Sequence, residues 1–120
     1  MGVSRIAIVD DDPAFSRMLG LFCKTEGVEC LALDGGEGSL EQLAAAQPDL
    51  IIVDLWLDRE GGGLELIRAI RQSPGLQASR VIVCSGAEQD LRRHADEFAA
   101  LGCRILPKPF DLEELHQEFS

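Results

Sequence analysis

Long apolar runs are missing from this sequence: none approaches the roughly 20 residues that a membrane-spanning helix needs. The first residues also lack a charged segment followed by an apolar stretch. The expectation is a cytoplasmic chain with no membrane association. Met1-Gly2 opens no myristoylation signal, because Ile6 stands where that signal wants Ser or Thr. Basic side chains are scarce as well. Eleven Lys and Arg against 21 Asp and Glu give a net charge of -10, which repels phosphate backbones and anionic membranes and argues against direct nucleic-acid binding. The four cysteines, Cys23, Cys30, Cys84 and Cys103, form no C-x-x-C pair. Each lies beside apolar residues, so they are read as core thiols; zinc or a disulfide requires clustering that only folding could provide. Repeats, linkers and low-complexity segments are absent, and residues 1–120 are expected to form a single domain.

What is present is the composition of an ordinary globular chain, 46% hydrophobic and 27% charged. Its most informative stretch is Asp49-Leu50-Ile51-Ile52-Val53-Asp54, an apolar run that ends in a carboxylate. Bounded by Pro48 and by Gly61-Gly62-Gly63, it predicts a strand buried on both faces. Ile6-Ala7-Ile8-Val9 running into Asp10-Asp11-Asp12, and Arg80-Val81-Ile82-Val83-Cys84 running into Ser85-Gly86, have the same form. Between them the spacing predicts helices. Asp12 caps the first and Pro13 opens it; Phe15, Met18, Leu19 and Phe22 recur at i, i+3, i+4 and i+7, and Gly27 ends it as a left-handed cap. A strand over 28–33 follows, then a helix capped by Ser39 and stopped by Pro48. Further helices are predicted over 64–72 and, unbroken, over 88–101, then a strand over 103–106 and a short helix from its Asp111 cap through Phe119. Five β-α repeats with strands buried on both faces predict an α/β fold, a doubly wound parallel sheet with helices on both sides.

Ligands in such sheets bind where the strands end, so the three strand ends should converge on one crevice. Consecutive carboxylates at Asp10, Asp11 and Asp12 repel one another unless something positive is near. Two readings stand side by side: a divalent cation relieves the repulsion, or Asp12 caps the helix while its neighbours meet the positive end of the helix. A second carboxylate at Asp54 completes the oxygen-only donor set that Mg²⁺ prefers. Next to Mg²⁺ a carboxylate is also a nucleophile toward phosphorus, and Asp54 is that candidate. Taken alone, Asp54 reads as a turn or cap, Ser85-Gly86 as a turn and Lys108 as a solvated charge. Together, a hydroxyl and an ammonium could hold a phosphoryl group mounted on Asp54.

Over essentially its full length the chain resembles a response-regulator receiver domain of two-component signalling, of the CheY-like superfamily. The resemblance rests on Ile8-Val9-Asp10-Asp11-Asp12-Pro13, Asp49-Leu50-Ile51-Ile52-Val53-Asp54-Leu55, Val83-Cys84-Ser85-Gly86 and Leu106-Pro107-Lys108-Pro109-Phe110, in order and at family spacing. It implies a flavodoxin-like sheet of five strands in the order 2-1-3-4-5. It implies that Asp54 accepts a phosphoryl group from a histidine kinase or histidine phosphotransfer protein. Asp10, Asp11 and Asp54, with the backbone carbonyl of Trp56, would then hold Mg²⁺. Ser85 would be the hydroxyl switch residue, Lys108 the phosphate-pairing lysine, and the Lys108-Pro109 peptide would be cis. Asp12 stays structural. Phosphorylation would bias a two-state equilibrium of the fourth and fifth strands and the helix between them. Such a domain is a signalling switch with weak self-phosphorylation and dephosphorylation chemistry, not an enzyme that turns over a metabolite.

Departures from the family pattern are specific. Ile105 occupies the position of an aromatic switch, and no tyrosine exists to replace that ring. Asp58 stands where a proline is usual. The loop to Leu64 is one residue longer, with Gly61-Gly62-Gly63 in place of Asp-Gly, and is expected to be mobile. The last helix stops at Ser120, short for the family, through a cut or a truncation. Trp56 and Ala87 lie where side chains tune hydrolysis of the phosphate; Trp56 is read as a partial shield, or as a plain apolar anchor. Leu19, read as outward-facing, belongs to the family's docking helix for kinases. A homodimer would use the fourth helix, fifth strand and fifth helix. Two other readings are open: a pseudo-receiver interaction module, motivated by Ile105 and the loop, and an Asp-x-Asp phosphatase using Asp10 and Asp12.

Overall fold

The computed structural model describes residues 2–57 and 62–119. Five strands are laid down at β1 (Arg5–Val9), β2 (Glu29–Leu33), β3 (Leu50–Asp54), β4 (Arg80–Ser85) and β5 (Cys103–Pro107). All neighbours are parallel, in the order β2-β1-β3-β4-β5. The helices are α1 (Pro13–Thr25), α2 (Ser39–Ala46), α3 (Gly62–Gln72), α4 (Glu88–Arg93), α5 (Ala95–Ala100) and α6 (Leu112–Gln117), with a 3-10 turn over Pro74–Leu76. No helix among the described residues is long and apolar enough to cross a membrane.

Alternation along the three central strands divides the core between the sheet's faces. Ala7, Val9, Ile51, Val53, Val81 and Val83 face α2 to α5, packing on Leu43, Ile67, Ile70, Leu91 and Phe98. Ile6, Ile8, Leu50, Ile52, Ile82 and Cys84 face α1 and α6, packing on Leu19, Cys23, Leu115 and Phe119. Burial on both faces holds for β1, β3 and β4. The edge strands β2 and β5 are half open to solvent, since each has a neighbour on one side only.

Local signals set the helix ends. The Asp12 carboxylate accepts from Ala14 N at 3.0 Å and Phe15 N at 3.4 Å, and Pro13 occupies the first turn. Gly27 takes φ 72°, the left-handed conformation its position required. Asp111 and Glu114 form a reciprocal capping box. Several expectations fail. Leu19 is fully buried, because α1 turns Phe15, Leu19 and Cys23 to the sheet and presents Met18 (43% exposed) and Leu21 (63%) outward. Ser39 is the first residue of α2; the cap position belongs to Gly38, and no side chain bonds there.

The helix expected over 88–101 breaks at His94 (φ -109°, ψ 14°), whose ring meets Phe98 at 6.1 Å. Leu91 and Phe98 would share a face in an unbroken helix too, so apolar spacing does not reveal the break. The glycine run is also different from expectation. Gly62 and Gly63 belong to α3, and Gly63 N donates to the Leu55 carbonyl at 3.1 Å. A Cβ on Gly63 would lie 2.2 Å from the Asp54 carbonyl oxygen and 2.7 Å from Leu55 Cα. Glycine is needed there so that the helix can approach the backbone of β3. Asp58, Gly61 and the expected mobility of their loop lie outside the described residues.

The four cysteines are free thiols, Cys23 and Cys84 buried and Cys30 and Cys103 half-buried. The neighbouring Cys30 thiol, together with burial, pushes the Cys23 thiol well above the usual range, and Cys23 in turn lowers that of Cys30.

Candidate functional site

The parallel register brings the ends of β1, β3 and β4 to one edge, pairing Val9 with Val53 and Asp54 with Cys84. Asp10 follows β1 directly and is 4% exposed. Its Oδ1 accepts from Asp12 N at 2.9 Å, and its Oδ2 accepts from Lys108 Nζ at 2.8 Å. Asp54 ends β3: Oδ1 accepts from Trp56 N at 2.9 Å, and Oδ2 accepts from the same Lys108 Nζ at 3.1 Å. Asp11 completes the group from the exposed side. Oxygens of Asp10, Asp11 and Asp54 all lie within 4.8 Å of one another.

Lys108 reaches this cluster from the loop after β5. Its backbone N donates to the Ser85 carbonyl at 2.9 Å, and the Lys108-Pro109 peptide is cis. The ammonium also lies 3.8 Å from the centroid of the Phe15 ring, which packs edge-on against Phe110 at 5.9 Å. An apolar hollow of about 430 Å³ opens beside it, lined by Phe15, Met18, Gly86, Pro109 and Phe110.

Charge and burial oppose each other at this edge. Burial raises the Asp10 carboxyl above its ordinary value, and the hydrogen bonds from Lys108 and Asp12 N offset only part of that. Burial would lower Lys108, but hydrogen bonds to Asp10 and Asp54 and their charges outweigh it and hold the ammonium above its ordinary value. Lys108 thus stays charged and bridges Asp10 and Asp54. Three carboxylates within reach of one point, with oxygen as the only donor type, fit a hard divalent cation. Behind the carboxylates, burial pushes the Cys84 thiol up to about 12, so it remains neutral.

Ser85 is buried at the end of β4, and its Oγ accepts from Ala87 N at 3.0 Å, closing the turn into α4. Ala87 is half-buried beside it. Trp56 is 45% exposed, and its indole Nε1 donates to Asp90 Oδ2 at 2.7 Å. Ile105 lies on β5, 37% exposed, beside Leu91 and Pro107. The structure therefore gathers Asp10, Asp11, Asp54 and Lys108 into one cluster and places Ser85 on the neighbouring strand end. Sequence reasoning missed Phe15 as the ring under Lys108, Asp90 as the partner of Trp56, and Gly63 as the close contact behind Asp54. Only Gly63 had a signal, the glycine run itself.

Residues 6–120 match the family model of the response regulator receiver domain. The KDP operon transcriptional regulatory protein KdpE of Escherichia coli is 34% identical over 116 residues, which is 94% of this chain and 48% of that protein. The nitrogen assimilation regulatory protein NtrX of Azorhizobium caulinodans is 31% identical over 118 residues, 92% of this chain and 24% of that protein. The chain spans less than half the length of these curated relatives. Among solved structures, a CheY-like response regulator receiver domain from Methylobacillus flagellatus aligns with a TM-score of 0.80 at 26% identity, covering 98% of this chain and 99% of that one. A putative response regulator from Chloroflexus aurantiacus aligns with a TM-score of 0.81 at 29% identity, covering 95% and 92%. Sequence, sheet order and the acidic edge agree, and the chain belongs to the response regulator receiver domain family.

Proposed function

We propose that this chain is a phosphoacceptor switch, in which Asp54 takes a phosphoryl group from a histidine kinase or histidine phosphotransfer protein in the presence of Mg²⁺. The observation that carries the reading is the single Lys108 ammonium shared by Asp10 and Asp54 within a cluster of three carboxylates. Asp10, Asp11 and Asp54, joined by the Trp56 carbonyl, would hold the metal. Bound there, Mg²⁺ supplies positive charge for the oxygens of the incoming phosphoryl group.

The chain's own groups do the rest. A carboxylate oxygen of Asp54 attacks phosphorus in line with the bond to the donor imidazole. As the P–O bond forms, the P–N bond breaks and its electron pair leaves on the imidazole nitrogen. Lys108 then follows the negative charge from the Asp54 carboxylate to the phosphoryl oxygens, keeping a charge-assisted hydrogen bond throughout. The Ser85 hydroxyl, whose oxygen already accepts from Ala87 N, keeps its proton to donate to a phosphoryl oxygen. Such a bond would draw on the turn that starts α4, and this is how the charge at Asp54 biases β4, α4 and β5. Trp56 and Ala87 flank the acceptor and tune hydrolysis. The described chain acts as one unit in the cytoplasm, a switch with weak self-phosphorylation and dephosphorylation chemistry. Homodimer formation would use α4, β5 and α6.

Asp12 favours this reading over a phosphatase. Its carboxylate is committed to the cap of α1, which leaves Asp10 without the second carboxylate of an Asp-x-Asp pair. The test is intact mass after incubation with a small acyl-phosphate donor, with and without Mg²⁺. One phosphoryl group added only with Mg²⁺ supports the reading; a protein that stays unmodified at every time point, from seconds onward, contradicts it and favours the pseudo-receiver.

A further inference from the structure

Trp56 makes two hydrogen bonds that point in different directions. Its main-chain N–H is given to Asp54 Oδ1 at 2.9 Å, and its indole N–H is given to Asp90 Oδ2 at 2.7 Å. One residue therefore touches both the acceptor carboxylate and α4. Asp90 is well placed to hold that indole: it sits in the first turn of α4, its side chain is 14% exposed, and its other oxygen faces Arg93 Nη1 at 3.7 Å. The ring itself is 45% exposed, so burial alone does not fix it. At Ile105, the strand β5 offers an aliphatic side chain and no polar group that could report on Asp54.

We propose that Asp90 is the positioning residue of the acceptor loop: by fixing the Trp56 indole it holds the Trp56 main-chain N–H on Asp54 and joins the state of that carboxyl to α4. The proposal rests on reading Asp54 as the acceptor. When the carboxylate becomes an acyl phosphate its oxygens lose charge and accept hydrogen bonds less well, so the Trp56 N–H is the first main-chain group to feel the change. Through the indole, the strain reaches the first turn of α4. The path does not need an aromatic side chain on β5.

Trp56 is the single tryptophan of the sequence, and no tyrosine competes with its emission. The experiment records that emission and its anisotropy, together with amide hydrogen exchange over residues 88–93, in unphosphorylated wild type, Asp90→Ala, Asp90→Asn and Trp56→Phe. Loss of one hydrogen bond to a charged acceptor should raise exchange in α4 about fivefold in Asp90→Ala and in Trp56→Phe. In Asp90→Ala the anisotropy of Trp56 should fall. Asp90→Asn keeps an oxygen for the indole while losing the charge opposite Arg93, and should restore both readouts. Adding Asp54→Ala should raise exchange in α4 in the wild-type background and add nothing in Asp90→Ala, since the two then remove the same link. Wild-type values in Asp90→Ala, failure of Asp90→Asn to restore them, or additive effects with Asp54→Ala would each overturn the proposal. A wild type that takes no phosphoryl group would overturn the proposed function instead, because these comparisons are made on unphosphorylated protein.

Discussion

Asp49 and Asp54 stand at opposite ends of one strand, β3, and their surroundings differ in kind. Asp49 Oδ2 accepts from Ser4 N, Ser4 Oγ and Arg5 N, each at 2.9 Å. Those bonds, led by the backbone N–H groups, hold its carboxyl below its ordinary value and tie the start of β3 to the start of β1. A hollow of about 410 Å³ lies at that end, lined by Gly2, Val3, Asp49, Gly75, Ser79 and Arg80, close in size to the one of about 430 Å³ beside Lys108. Asp54 receives one backbone N–H and half of a lysine, which it shares with Asp10. Hollow size thus fails to separate the two ends, and carboxylate partners separate them well. A carboxylate satisfied by fixed main-chain donors is a joint; carboxylates that share one lysine, as Asp10 and Asp54 do, retain the capacity to bind a further cation.

Lys108→Ala should produce the largest effect, and on one end alone. Without the ammonium, formation of the Asp54 adduct should slow by about 10²-fold, the scale of losing one preorganised donor to a developing phosphoryl charge. Time-resolved intact mass measures it, and a rate within twofold of wild type would remove Lys108 from the chemistry. Gly63→Ala attacks the same end from behind. The new Cβ cannot fit against the Asp54 carbonyl, so β3 or α3 must shift; the cost should be about 2 kcal/mol in urea unfolding, with slower adduct formation. Unchanged stability would mean that α3 does not pack so closely.

Asp49→Ala is the converse test. It should cost about 1 kcal/mol, the scale of its lost hydrogen bonds at a mostly exposed site, and leave the adduct rate untouched. Its pH signature has a definite sign. A carboxyl held low in the folded state stabilises fully above its unfolded value, near pH 4 for Asp, and loses that contribution as pH falls through the folded value. Stability of Asp49→Ala should therefore decline less steeply than wild type below about pH 4. Burial of Asp10 acts oppositely, since its ionisation is disfavoured in the fold. Trp56→Ala should have the smallest effect, hydrolysis of the adduct faster by about threefold as water gains access. Phosphate-release assays that find an unchanged or slower rate would leave Trp56 an anchor and no shield.

Strand ends were the most legible part of the chain. Apolar runs that stop at Asp10, Asp54 and Ser85 mark where the sheet meets solvent, and burial on both faces follows from four apolar residues in a row. Convergence of the strand ends brought Lys108 towards Asp54, but its contact with Asp10 spans 98 positions, and nothing in either segment pointed to it. The outward turn of Met18 and Leu21 instead of Leu19 shows how a helical stripe fixes a face more loosely than a strand does. At Gly63 the sequence signal was real and its meaning was misread: glycine there serves close approach between backbones, whereas a run of three reads locally as a hinge. The link from Trp56 to Asp90 depends on how α4 settles after β4, and no spacing within either segment encodes it.

The account stands most directly on the identity of the acceptor. Wild type and Asp54→Ala, incubated with Mg²⁺ and a small acyl-phosphate donor, should differ by one phosphoryl group in intact mass, present in wild type alone. An equal adduct on both proteins would contradict the account, because the phosphoryl group would then reside on a residue other than Asp54.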